Sequence, residues 1–197
     1  PLESVLAAVK SKQFLFGENR VQEAWEKFTN PALANTNVDL HIIGTLQSNK
    51  VKKAVQIASC IQSVDRESIL EEIEKQSSKI NKSIKVFFEV HTGEDSKSCY
   101  TSEADLFLSA EKCAKGLFPH IQVAGLMTMA PFTKDEKLIH TSFEYLRNLK
   151  EKLNKSFDLP ITELSMGMSG DYKIAIEEGS TIVRIGTALF GQRDYSK

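Results

Sequence analysis

Short apolar runs alternate along the chain with amphipathic segments of helical period. Seven runs are rich in β-branched and other apolar residues, which is typical of parallel strands that are covered on both faces. These predicted strands lie at residues 14–18, 40–44, 60–65, 85–91, 121–127, 163–168 and 181–190. Between them, apolar residues recur at the spacing of one helix face, for example at Leu2, Val5, Leu6 and Val9. This strict alternation predicts a parallel α/β fold.

Two helix ends can be placed from local signals. Thr133 followed three residues later by Glu136 resembles a capping box and predicts the start of the longest helix. A short helix over residues 171–178 is expected to end before Gly179, because glycine readily adopts the left-handed conformation that follows many helices.

The number of strands favours an incomplete barrel. The chain of 197 residues is consistent with one domain over residues 1–197, and it starts on a helix and finishes on a strand. A closed parallel barrel of this type needs eight strands, and seven would leave two unpaired edges. We therefore expect a (β/α)8 TIM-type barrel whose first strand is missing before Pro1.

Composition narrows the class of function. The net charge of −1 argues against binding to nucleic acid or a membrane surface through bulk charge. No apolar run approaches the roughly 20 residues that a membrane span needs. The three cysteines show no paired spacing, which favours a reducing compartment and a cytoplasmic location. No spacing of histidine, cysteine and acidic residues predicts a metal site.

Small polar residues at two consecutive strand ends predict an anion site. Ser165 and Ser169 belong to the sixth predicted strand and its turn, and Gly186 and Thr187 belong to the seventh. Small residues let backbone N–H groups approach phosphate oxygens, and the loops after the last two strands of a TIM-type barrel commonly hold phosphate. Ordinary turn and capping chemistry is the alternative for these residues.

Five motifs resemble those of the pyridoxal phosphate homeostasis proteins. They are residues 16–23 (FGENRVQE), 41–50 (HIIGTLQSNK), 125–127 (GLM), 164–169 (LSMGMS) and 183–191 (VRIGTALFG). They occur in the family's order and cover almost the whole chain. The family consists of single-domain barrels similar to the N-terminal domain of alanine racemase, so the resemblance implies the same fold as the strand pattern.

The resemblance implies pyridoxal 5′-phosphate (PLP) as cofactor. The family holds PLP as a Schiff base on a lysine of the first strand, in a segment that ends in proline. Pro1 resembles that proline, so the Schiff-base lysine is expected just before Pro1, and no catalytic residue is expected within the chain. This placement agrees with the missing strand.

The resemblance also implies cofactor contacts within the chain. Arg184 would donate a hydrogen bond to the pyridine nitrogen of PLP, although an internal ion pair with a carboxylate is the alternative. Asn19, His41 and Met127 would lie near the cofactor. Their alternatives are a helix N-cap, a structural histidine and a core side chain, respectively. With Ser165, Ser169, Gly186 and Thr187, these residues complete the expected PLP site.

The implied function is PLP homeostasis without strong catalysis. A monomer would hold the reactive aldehyde and supply it to PLP-dependent apo-enzymes. Arginine opposite the pyridine nitrogen disfavours its protonation, which makes PLP a weaker electron sink. One alternative is a racemase-like enzyme, although alanine racemase adds a C-terminal β-domain that supplies a catalytic tyrosine. The other is a sugar-phosphate-binding barrel enzyme, for which Glu18, Asp65 and Glu89 show no convincing pairing.

Overall fold

The computed structural model describes residues 1–93 and 99–191 of the chain. This part of the chain contains seven parallel strands. They are β1 (Leu15–Glu18), β2 (Asp39–Ile42), β3 (Cys60–Val64), β4 (Ile84–Glu89), β5 (Ile121–Met127), β6 (Glu163–Met168) and β7 (Ile182–Arg184).

The strands form one sheet in which spatial order follows chain order. Every neighbouring pair is parallel, from β1 with β2 to β6 with β7. A parallel connection needs a crossover, and helices provide it here. This nearly closed, barrel-like wall with alternating helices confirms the predicted TIM-type α/β class.

Eight α-helices are present in residues 1–93 and 99–191. They are α1 (Leu2–Lys10), α2 (Val21–Phe28), α3 (Val51–Ile57), α4 (Glu67–Lys79), α5 (Glu103–Ala114), α6 (Glu136–Phe157), α7 (Tyr172–Glu177) and α8 (Thr187–Phe190). Short 3-10 turns cover Pro31–Leu33 and Ser48–Lys50.

Apolar side chains form two separate clusters. The larger one joins the strands to the helices and includes fully buried Ile42, Ile61 and Leu126. The smaller one contains Cys60, Phe87 and Met127. Side chains alternate between the two faces of each strand, so the small cluster lies on the inner face of the sheet.

The predicted strand over residues 181–190 is wrong in its second half. β7 ends at Arg184, and Thr187–Phe190 forms the single turn of α8. The chain turns at Gly186, which has a φ of −110° and a ψ of −78°. Short apolar runs do not distinguish strand from helix by period alone, which explains the error.

The predicted capping box is also displaced. The N-cap of α6 is Asp135, whose Oδ1 accepts a 3.0 Å hydrogen bond from the backbone N–H of Lys137. Thr133 instead accepts a 3.1 Å hydrogen bond from the backbone N–H of Asp135. Both are local side-chain caps of the kind that compete for the first turn. The prediction for Gly179 is confirmed, since its φ is +88°.

Candidate functional site

The carboxyl ends of β6 and β7 lie side by side. Met168 of β6 pairs in register with Arg184 of β7. The turns that follow these strands bring Ser169 and Thr187 together, with 3.4 Å between their side-chain oxygens. The backbone N–H of Ala188 also points at Ser169 Oγ, at 3.5 Å. The strand-end rule therefore placed these hydroxyls correctly beside one another; that they bind phosphate stays a prediction.

The last turn-facing part of β6 contains a glycine that the fold requires. Gly167 has a φ of +92°, and a Cβ built there would lie 2.5 Å from the Cβ of Ala175 in α7. The turn is then closed by Asp171, whose Oδ1 accepts a 2.6 Å hydrogen bond from the backbone N–H of Met168. Together these contacts position the half-buried Ser169.

The space beside Gly186 is open. A Cβ added at this position meets no atom within 4 Å, and the residue is exposed together with Thr187. Small exposed residues with hydroxyl and backbone donors are the components from which proteins build phosphate sites. The space and the donors coincide at the end of β7.

Arg184 joins three strands at this edge. Its Nη1 donates hydrogen bonds to the carbonyl oxygen and Oγ of Ser165, at 2.8 Å and 2.7 Å. Its Nη2 donates to the carbonyl oxygen of Thr128, just after β5, at 2.7 Å. Arg184 is half-buried, since β7 is an edge strand of the described sheet. These neutral oxygens fix the plane of the guanidinium.

A polar chain continues from Ser165 into the inner face of the sheet. Ser165 Oγ donates a 2.6 Å hydrogen bond to Gln62 Oε1. Gln62 Nε2 in turn lies 2.7 Å from His41 Nδ1. The sequence interpretation did not single out Gln62, although a glutamine within the buried strand Cys60–Val64 was the available signal.

His41 lies deep in the sheet and two side chains away from Arg184. It is 8% exposed, and its ring contacts Phe87 edge-on with centroids 6.4 Å apart. Its Nε2 lies 3.6 Å from Asp39 Oδ1. Burial lowers the pKa of His41, and the opposing effect of Asp39 is smaller. The imidazole is therefore neutral at neutral pH.

Met127 and Asn19 occupy different surroundings. Met127 is buried and packs with Cys60 and Phe87. Asn19 is exposed directly after β1, at the other end of the strand order from Arg184. Direct hydrogen bonds thus join Ser165 to Arg184, and Ser169 approaches Thr187, whereas Asn19 lies at the end of β1.

Two kinds of feature are absent from residues 1–93 and 99–191. Within these ranges, no group of three or more histidine, cysteine or acidic residues could hold a metal ion. None of the helices found there combines the length and the apolar character that crossing a membrane demands.

Sequence comparison identifies the family. The profile described as "Alanine racemase, N-terminal domain" matches residues 2–194. The pyridoxal phosphate homeostasis protein of Vibrio alginolyticus is 40% identical over 200 residues, covering 100% of this chain and 84% of that protein. The chain belongs to this family. The resemblance stated from the motifs is therefore confirmed.

Two other relatives extend this family relationship. The pyridoxal phosphate homeostasis protein of Aquifex aeolicus is 39% identical over 181 residues, which cover 92% of the chain and 78% of that relative. The structure of PipY from Synechococcus elongatus, with PLP bound, superposes with a TM-score of 0.88 at 33% identity. The match covers 97% of this chain and 88% of PipY.

Proposed function

We propose that this protein binds PLP and buffers or supplies it in vitamin B6 homeostasis, without strong catalysis. The observation that carries this proposal is the juxtaposition of Arg184 with the open Ser169–Thr187 edge. The names of the family members and the PLP bound to PipY support the same reading.

The residues at the ends of β6 and β7 fit the phosphate of PLP. The open space beside Gly186 accepts a group that a larger side chain would displace. Ser169 and Thr187 would supply two hydroxyl donors, whose oxygens lie 3.4 Å apart. Ser165 would support the site through Arg184, because its hydroxyl donates to Gln62 and accepts from Arg184.

Arg184 fits the pyridine nitrogen. Arginine stays protonated, so it donates a hydrogen bond and leaves that nitrogen without a proton. PLP supplies an aldehyde that combines with amines and a ring that withdraws electrons, the latter weakly when its nitrogen is unprotonated. This electrostatic arrangement favours storage of the cofactor over racemisation.

Three further side chains and an anchoring lysine would complete the proposed site. Met127 would pack against the ring and Asn19 would close the site from β1. His41 would lie near the cofactor on the inner face of the sheet. The lysine that anchors PLP would lie just before Pro1, and the protein would be a cytoplasmic monomer that passes PLP to apo-enzymes.

The first experiment is borohydride reduction of the natural-length protein with PLP, followed by peptide mapping. Label on a lysine that precedes Pro1 supports the proposal. Label only on Lys12, Lys50 or Lys97, or no label, contradicts it and favours the sugar-phosphate-binding barrel enzyme. Lys97 lies outside the residues that the structure describes.

A matched pair of arginine variants tests the ring contact. Arg184→Gln should weaken PLP binding by roughly tenfold or more, because hydrogen bonds from charged groups contribute about 1.5–3 kcal/mol. Arg147→Gln is the control, since Arg147 pairs with Glu178 on the outer helices. Equal PLP affinity in both variants, measured by absorbance titration, would contradict a role of Arg184 at the cofactor.

A further inference from the structure

Four side chains form a continuous hydrogen-bonded chain across the inner face of the sheet. Arg184 Nη1 lies 2.7 Å from Ser165 Oγ, which lies 2.6 Å from Gln62 Oε1. Gln62 Nε2 lies 2.7 Å from His41 Nδ1. The chain connects β7, β6, β3 and β2, and its three inner members are buried.

The directions of these hydrogen bonds follow from Arg184 together with the orientation of the Gln62 amide, whose Oε1 faces Ser165 and whose Nε2 faces His41. A guanidinium only donates, so Ser165 Oγ accepts from Arg184. The serine has one hydroxyl proton, and it donates that proton to Gln62 Oε1. The amide of Gln62 then presents its N–H to His41 Nδ1. His41 Nδ1 is therefore an acceptor, and the imidazole carries its single proton on Nε2.

We propose that Gln62 is a positioning residue for the cofactor site. It holds the Ser165 hydroxyl with a lone pair directed at Arg184, and it keeps His41 neutral with its proton on Nε2. The link to PLP rests on the proposed function, because Arg184 is the group that would touch the pyridine nitrogen. The direction of the hydrogen bonds is a property of the protein without ligand.

The donor and acceptor roles in this hydrogen-bonded chain cannot be reversed at one residue alone. A proton on His41 Nδ1 would face the N–H of Gln62, and the amide would have to turn over. Ser165 would then receive two N–H donors and would need another acceptor for its own proton. In a buried site, an unsatisfied polar group costs more than a hydrogen bond contributes. The three inner residues therefore act as one unit.

The groups around His41 favour the same state. Burial disfavours the imidazolium, and Lys85 on β4 acts in the same direction. Asp39 on its own strand and Glu163 on β6 oppose this effect, and burial is the largest of the four influences. The edge of the Phe87 ring covers another side. Geometry and electrostatics thus agree on a neutral imidazole.

The test begins with ¹⁵N NMR of the ligand-free protein. The chain has four histidines, and His41→Asn assigns the signal of His41. Around neutral pH, we expect the chemical shifts of an unprotonated Nδ1 and a protonated Nε2. A protonated Nδ1 in the wild-type protein would overturn the proposal.

Two substitutions of Gln62 then separate positioning from simple packing. In Gln62→Glu, a carboxylate accepts from both neighbours, so the His41 proton should move to Nδ1. Gln62→Met keeps the approximate volume but removes both hydrogen bonds, and it serves if the glutamate variant does not fold. Both variants should shift the Arg184 Nη signals and weaken PLP binding roughly tenfold.

Ser165→Ala and Ser109→Ala form a matched pair. Each serine is fully or almost fully buried, and Ser109 in α5 accepts a 2.9 Å hydrogen bond from the hydroxyl of Tyr100, which precedes that helix. Ser165→Ala should shift the signals of both Arg184 and His41, whereas Ser109→Ala should leave them unchanged. Unchanged Arg184 signals in Gln62→Met and Ser165→Ala would overturn the proposal.

The readouts distinguish this inference from the proposed function. If the wild-type protein binds PLP but the Arg184 signals do not change when Gln62 is substituted, this inference is wrong and the proposed function stands. If the NMR signals change as expected but the natural-length protein does not bind PLP, the proposed function is wrong and the hydrogen-bonded chain is supported.

Discussion

The α-carbon of Gly44 packs directly against the carbonyl group of Asn19. A Cβ built on Gly44 would lie 2.3 Å from Asn19 O and 2.8 Å from Asn19 Cα. Gly44 follows β2 and Asn19 follows β1, so this contact sets how closely the two strand ends approach. Any larger residue at position 44 must move the backbone of the segment that carries Asn19.

Gly44→Ala should therefore destabilise the fold by about 1–3 kcal/mol, the usual cost of inserting atoms into a packed site. The free energy of unfolding from urea denaturation is the measurement. Gly170→Ala is the control, because a Cβ at Gly170 meets no atom within 4 Å. Equal stability of the two variants would show that the strand ends separate without cost.

Asn154 holds the segment before β6 onto α6. Its amide donates a 2.8 Å hydrogen bond to Ile161 O and accepts a 3.1 Å hydrogen bond from Ile161 N. Asn154→Ala leaves the backbone N–H and carbonyl of buried Ile161 unsatisfied. We therefore expect the free energy of unfolding to fall by about 1–3 kcal/mol for each group. Asn148→Ala, on the exposed face of the same helix, should change stability by less than about 0.5 kcal/mol.

The hydroxyl pair at the ends of β6 and β7 should discriminate PLP from pyridoxal. Thr187→Val and Ser169→Ala should each weaken PLP binding about threefold to tenfold, because each removes a donor to phosphate. Binding of pyridoxal, which has no phosphate, should change little in the same titrations. Thr162→Val, just before β6, is the control; an equal loss for both ligands would place the phosphate elsewhere.

Stability should depend on pH through His41. Its pKa is lowered from 6.5 by burial, so the unfolded chain takes up a proton before the folded protein does. The contribution of neutral His41 is present above pH 6.5 and is lost as pH falls towards the folded pKa, by at most about 1.4 kcal/mol per pH unit.

His41→Asn provides the comparison for this pH dependence, because its side-chain oxygen can still accept from Gln62. The difference in unfolding free energy between wild type and this variant should be constant above neutral pH and should shift against the wild type in acid. A difference that is independent of pH would mean that His41 titrates normally in the fold.

The strands were predictable because short apolar runs are separated by amphipathic segments of helical period. Residues 121–127 and 163–168 were placed with correct bounds, since Pro119, Pro160 and Gly170 lie just outside these runs. Residues 187–190 were assigned to the wrong class, because Thr, Ala, Leu and Phe in one turn satisfy either period. Only the backbone at Gly186 decides between them.

The site was predictable where it depends on strand ends and unpredictable where it depends on strand register. Ser169 and Thr187 come together because consecutive parallel strands end at the same edge. The contact between Gln62 and Ser165 joins residues 103 positions apart, on strands that are not neighbours. No pattern along the chain encodes which inward-facing side chains meet across the sheet.

Arg184 contributes both to the stability of the fold and to the proposed ligand site. Its guanidinium ties the end of β5 and the middle of β6 to β7 through Thr128 and Ser165, and it faces the edge where a ligand would bind. A ligand that engages this group binds the folded chain and not the unfolded one, so its free concentration raises the melting temperature. Thermal stability thereby becomes a reporter of ligand supply, and a protein with this arrangement persists longest where its ligand is abundant.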